Sequence, residues 1–367
     1  MRSFFFAAAA AIALLAQTVL AQPAFAETDR ATAAFWKGVQ ANCNASAAKP
    51  ANETAQRIAK AATDEFNTFG GHRIDANGRI YLFGLTEAEH EEDDGGERPL
   101  SLGKLGWWQV MKYWRTLFDN DPNGKLEVRG YRDASSSSQE AQEAAVLRTS
   151  AERLLKAADA ETDPEQREVL REAALRAAII DTPWSAAFIS YVVRQAGVGP
   201  NAFQFGNAHR AYIYDAFAAS AAEKTNEAGD RLYRACPLTT TKPRVGDLIC
   251  AQREPTFSDA SDEDVRERIR KELGDSAGPR TVRRTHCEVV AHIDARAREM
   301  YTIGGNVNQA VTARKMKLGR GLKFAAVRKA NCAKTDRWTL PQGKDAAAHA
   351  TKCSLNDKKW FVLLQVR

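Results

Sequence analysis

The stretch DTPWSAAFISYVV, Asp181 to Val193, holds a serine, Ser185, in the first turn of what reads as a buried helix. Thr182 suits the N-cap and Pro183 the first helical position. Phe188, Ile189, Val192 and Val193 recur at helical spacing and form an apolar face, and Gly197 ends the helix. Ser185 then lies where free backbone N–H groups and the helix dipole make a positive end. Such a place suits a nucleophile, because it stabilises a developing anion. It also suits a serine that completes a cap, and the helix by itself favours that ordinary serine.

Residues further along change the balance. GDLIC, Gly246 to Cys250, reads as a turn feeding a strand. THCEVVAHI reads as a strand with His286 near its start. Alternation places His286, Glu288, Val290 and His292 on one face, with Cys287 and Val289 on the other. IGGNV follows, read as a tight Gly304–Gly305 turn that presents Asn306. A helix start with an attacking atom, a strand histidine and a polar residue on the next strand make a nucleophile, base and orienter.

The ordered segments TPWSAAFISYVVRQAGV, GDLIC, HCEVV and IGGNV resemble the papain-like cell-wall hydrolases of the NlpC/P60 and CHAP group. Within that group the chain is most similar to the bacterial family DUF2272, from about Pro164 to the C-terminus. The resemblance implies an amide hydrolase acting on peptidoglycan peptides. By position it assigns Ser185 as nucleophile, His286 as base and Asn306 as orienter, with no cofactor and no metal. The hydrolases carry cysteine where this chain has Ser185. A thiol ionises readily beside an imidazole, whereas a serine hydroxyl needs strict base geometry. The alternative is a catalytically silent protein of the same fold that binds a wall peptide or a partner. NAHRAYI, Asn207 to Ile213, belongs to the same pattern. His209 there is a candidate second imidazole, equally readable as a packing histidine, and Arg210 a candidate carboxylate ligand. Trp184 and Asp247 complete the expected binding residues.

The rest of the chain sets bounds. Met1-Arg2 is followed by SFFFAAAAAIALLAQTVLAQPAFA, the pattern of a secretory signal cut after Ala26, with an uncleaved anchor as the other reading. No later stretch is apolar enough to span a bilayer. The expected organisation is a signal at 1–26, a helical and hairpin region at 27–138, and a papain-like α+β domain at 139–367 with helices on an antiparallel sheet. The expected location is the periplasm or the exterior.

The formal net charge is +6. A basic exported chain suits peptidoglycan or another anionic envelope component, and no nucleic-acid motif occurs. The acidic run Glu89–Glu97 and the basic run Ala313–Lys329 each read as solvated faces. Six cysteines in an exported chain point to disulfides. Cys250–Cys287 and Cys332–Cys353 are candidate pairs, but spacing leaves connectivity open.

HRIDANGRIYLFG, His72 to Gly84, reads as a hairpin about Asn77–Gly78. Trp107, Val110, Met111, Trp114 and Phe118 form one helical face, read as core, although a Trp-rich helix can also dock a partner. Further helices are expected near Gln139–Ala158 and Pro164–Ile180, the second capped by Asp163. Ser258 to Arg284 reads as a surface helical excursion. DNDPNG, Asp119 to Gly124, begins like a calcium loop but has Gly130 where the bidentate glutamate belongs, so it reads as a turn. His90 sits among solvated carboxylates, His349 reads as exposed, and His72 has no identifiable partner.

Overall fold

The structure is a computed structural model that describes residues 22–88, 105–118, 127–128, 149–275, 278–325 and 354–367. The calcium-like turn, the acidic run, His90, His349 and Cys332–Cys353 lie outside those residues.

An eight-stranded sheet organises the chain. Its strands are β1 (Arg73–Ile74), β2 (Ile80–Leu82), β5 (Tyr233–Pro237), β6 (Leu248–Gln252), β7 (Thr285–Asp294), β8 (Glu299–Val307), β9 (Ala310–Lys317) and β10 (Lys359–Val366), in the order β2-β1-β9-β8-β7-β6-β10-β5. Two short strands, β3 (Glu127–Val128) and β4 (Thr149–Ser150), pair separately. The large sheet is antiparallel except at β1–β9, which run parallel. The expected all-antiparallel sheet is therefore a mixed one. The hairpin about Asn77–Gly78 forms, and Gly78 takes φ +78°, as its turn requires. This hairpin extends the main sheet, so the N-terminal region shares that sheet with the C-terminal strands.

Eight helices are described: α1 (Gln22–Ala47), α2 (Glu53–Thr68), α3 (Gly106–Phe118), α4 (Ala151–Asp159), α5 (Pro164–Asp181), α6 (Ser185–Gln195), α7 (Arg210–Ala222) and α8 (Asp262–Gly274). Asp163 caps α5 through Glu165 N and Gln166 N, as its sequence predicts. In α8, Ser261 and Asp264 form a capping box. That helix is not wholly a surface excursion, because Val265 and Ile269 are buried in the core.

Strand alternation separates two cores. Leu248, Cys250, Cys287, Val289 and Ile303 pack with α2, α3, α6 and α7. Ile249, Ala251, Val290, Met300 and Leu363 pack with Phe35 and Val39 of α1. Each fully buried large apolar side chain contributes about 1.5–3 kcal/mol. Each core holds one disulfide. Cys250–Cys287 links directly paired positions of β6 and β7, and Cys43–Cys236 ties α1 to β5. Among the described residues no helix is long and apolar enough to cross a membrane.

Three local readings change. The helix after Pro183 begins at Ser185 with Trp184 as N-cap, and Thr182 instead ends α5. IGGNV is not a turn: Gly304 and Gly305 lie within β8, where the register with β9 shifts. The start of the basic run, 313–317, lies in strand β9, and its Arg314 is 1 % exposed, so this part is not a solvated face.

Candidate functional site

Helix α6 is buried along most of its length, including Ser185, Ala186, Ala187, Phe188 and Ile189. Its end is locked by Gly197 at φ +83°, whose N–H reaches Arg194 O while Val198 N–H reaches Val193 O. Its start is held by Trp184, which is fully buried. The indole stacks on Phe69 at 6.0 Å, leans on Tyr113 at 5.6 Å and donates its N–H to the Glu87 carboxylate. Burial pushes the Glu87 carboxyl up to about 7, against the pull of that hydrogen bond. Trp184 is thus a packing anchor beneath Ser185, with no face presented to solvent.

Gly305 explains how α6 sits so close to β8. A Cβ there would collide with Phe188. Gly304 faces the other way, and a Cβ on it would lie 2.8 Å from Glu288 Cγ and 3.2 Å from His286 Nε2. Both glycines therefore answer to close approach rather than to positive φ. The left-handed residue is Asn306, at φ +52°. No hydrogen bond of its side chain occurs among the described residues.

Ser185 Oγ lies 2.7 Å from His209 Nε2. His209 is the residue before α7, and Tyr212, one turn later, places its hydroxyl on His209 Nδ1. A second serine of α6 keeps this register. Ser190 Oγ donates to Gly206 O at 3.1 Å and accepts from Gly206 N at 3.2 Å, three residues before His209. The imidazole that meets Ser185 is therefore His209, in the place where the sequence resemblance led to the expectation of His286.

His286 stands behind it, edge-to-face on His209 with ring centroids 5.2 Å apart. Its Nε2 is 3.4 Å from Glu288 Oε1, close enough for an ion pair but without hydrogen-bond alignment. Glu288 is fully buried. It accepts from Thr302 Oγ1 at 2.6 Å and from Arg314 Nε and Nη2 at 3.1–3.2 Å. Lys358 Nζ lies 3.7 Å away. One carboxylate of β7 is thus held by a hydroxyl of β8, the guanidinium of β9 and the ammonium that precedes β10.

Burial, then the neighbouring His286 and Arg253, hold His209 well below the usual imidazole range. Burial likewise lowers His286 to about 4, although Glu288 pulls the other way. Glu288 stays well below the carboxylate range despite its burial, because Arg314 and His286 favour the anion. Both imidazoles are therefore neutral near pH 7. Two tautomers of His209 satisfy its two bonds. With the proton on Nδ1, donated to Tyr212, Nε2 accepts the Ser185 hydroxyl, which is the arrangement a nucleophile needs. Burial, followed by Tyr233, pushes the Tyr212 phenol well above its ordinary range, so it remains un-ionised.

The other expected residues lie apart or serve the fold. Asp247 is fully buried and accepts from Arg244 N at 2.8 Å and Val366 N at 2.9 Å. Burial pushes it up to about 7, opposed by Arg244 and those two N–H groups. Arg210 is exposed on the first turn of α7. His72, which had no partner in the sequence, accepts from Gly84 N at 2.9 Å. Cys250 and Cys287 are consumed in their disulfide, and the described residues hold no free cysteine. Among the described residues no cluster of side chains fits a metal ion.

Glu288 shares a strand face with His286 by simple alternation, and Tyr212 is one helical turn from His209. Neither was given a role by sequence, because spacing shows proximity and not partnership.

No curated protein matches the chain, and no solved structure matches it. A family model described as an uncharacterized protein conserved in bacteria, DUF2272, matches residues 103–366, from helix α3 through strand β10 and across every residue of the Ser185 site. The chain belongs to the DUF2272 family.

Proposed function

We propose that this chain is an exported amide hydrolase of the cell envelope, acting on peptidoglycan peptides through Ser185. The observation that carries this reading is the 2.7 Å contact between Ser185 Oγ at a helix start and Nε2 of a neutral histidine. The likeness of its motif order to the NlpC/P60 and CHAP hydrolases supports the substrate class and a papain-like arrangement. The two disulfides fit an oxidising compartment.

In this reading Ser185 Oγ attacks the amide carbonyl carbon while His209 Nε2 takes its proton. The first-turn N–H groups of α6 face the oxyanion. The C–N bond then breaks as His209 returns the proton to the leaving amine. Water, deprotonated by His209, hydrolyses the acyl-serine and restores the hydroxyl. His209 replaces His286 as base, and His286 with Glu288 orders the surroundings of His209.

A second reading is favoured by burial. Ser185 is 7 % exposed and His209 4 %, and among the described residues no carboxylate touches His209 to stabilise an imidazolium. That reading is a silent binding protein of the same fold. Peptidoglycan fragments incubated with the purified chain and followed by mass spectrometry separate the two. New amine and carboxylate ends from the wild type, absent with Ser185→Ala, are expected. Turnover by Ser185→Ala would remove Ser185 as nucleophile, and binding without product by the wild type would establish the silent reading.

A further inference from the structure

The charge around the two imidazoles is unbalanced. Glu288 is the acidic group that acts on His209 and His286, and its oxygens are already engaged by Thr302 and Arg314. Two further cations stand at the same end of the sheet. Arg253 follows β6, where Gln252 pairs with Thr285, the residue before His286. Its backbone N–H bonds Arg284 O at 2.6 Å and its Nη2 bonds Thr285 O at 3.3 Å. The side chain is exposed, and no carboxylate lies within ion-pair reach of it among the described residues. Lys358 precedes β10, whose Lys359 pairs with the same Gln252. Its side chain is 29 % exposed, and its carboxylate contact is the shared Glu288 at 3.7 Å.

We propose that Arg253 and Lys358 form a carboxylate-binding subsite on the rim of the Ser185–His209 site, so that the peptide it takes carries an acidic group beside the scissile amide. This rests on the hydrolase reading for its scissile amide, but the subsite itself needs only binding. Three observations support it. Arg314 and Glu288 neutralise each other, which leaves two positive charges next to uncharged imidazoles. Lys358 is partly buried and its pKa is lowered to about 8, and desolvation lowers Arg253 in the same direction although its side chain reaches solvent. A partly desolvated cation without its own carboxylate is a cost that an incoming anion offsets. Finally, the two types are complementary: a guanidinium grips a carboxylate bidentately and an ammonium adds a point charge.

The test uses the full chain carrying Ser185→Ala, so that no turnover intervenes. Titration calorimetry compares a peptidoglycan-derived tetrapeptide bearing free carboxylates with the same peptide carrying carboxamides in their place. The acidic peptide should bind at least about tenfold more tightly, the scale of one charge-assisted hydrogen bond. Adding Arg253→Gln or Lys358→Gln should each erode that preference about tenfold and leave the amidated peptide unaffected. Equal binding of the two peptides, equal losses for both in the variants, or no binding by a folded chain would overturn the subsite. A preference without product from the wild type would instead retain the subsite and remove the hydrolase reading. Product without a preference would do the reverse.

Discussion

Ser185, His209 and Tyr212 come from the starts of two helices and form an uncharged chain of hydroxyl, imidazole and phenol. His286, Glu288, Thr302 and Arg314 come from three neighbouring strands and enclose an ion pair. Both regions are buried, and each meets the cost of burial differently. The helical half avoids charge by holding His209 neutral. The strand half keeps charge and surrounds it with matched donors. A neutral half can pass a proton without a lasting charge in the interior, while a paired half gives that proton path a fixed electrostatic background.

The largest break in this contrast is expected from Arg314→Met, which leaves Glu288 buried without its main partner. Denaturant unfolding should show a loss of about 3–5 kcal/mol. The double variant Glu288→Met with Arg314→Met should recover most of it, because the unpaired charge is gone. A loss below about 1 kcal/mol in the single variant would mean that the ion pair is not what holds the strand half together.

Acid should separate the halves next. His286 has a folded pKa of about 4, below its unfolded value near 6.5. As pH falls below 6.5 the unfolded chain takes up a proton that the native imidazole refuses. Stability therefore drops between about pH 6.5 and 4 and levels below that, by on the order of 3 kcal/mol from this group. The same titration in His286→Gln should lose part of its slope in that window, with the remainder due to His209. An unchanged slope would place the acid sensitivity elsewhere.

Tyr212→Phe tests the neutral half. It strips the hydroxyl from His209 Nδ1 and should cost about 1–2 kcal/mol. Nitrogen NMR of the imidazole reads the tautomer directly, and a tautomer unmoved by the substitution would show that Tyr212 does not set it.

The smallest effect belongs to Asn306→Gly. Asn306 holds a left-handed conformation that glycine adopts freely, so stability should change by less than about 1 kcal/mol, in the favourable direction. Under the proposed hydrolase function, turnover of the same peptidoglycan fragments should persist. Its loss would return Asn306 to the orienting role expected from the sequence resemblance to the NlpC/P60 and CHAP hydrolases.

Local periodicity and capping determined much of this protein by themselves. The Asp163 cap, the apolar stripe of α3, the buried face of α6, the Asn77–Gly78 hairpin and strands β6 and β7 all follow from spacing that any backbone of that type imposes. Cys250–Cys287 was one of two candidate pairings in the sequence, and the β6–β7 register, which faces the two cysteines, makes it a disulfide. Strand β9 was hidden because its arginines and lysines resemble a solvated run, and only pairing with β8 gives Arg314 a buried carboxylate to meet. The parallel place of the hairpin depended on β9 in turn. The exchange of His286 for His209 beside Ser185 was likewise a tertiary decision. Sequence order names the imidazoles available, but the Ser190–Gly206 clasp and the close approach at Gly305 decide which one arrives within 2.7 Å. Chemical type is written along the chain, whereas contact distance depends on how separate elements pack.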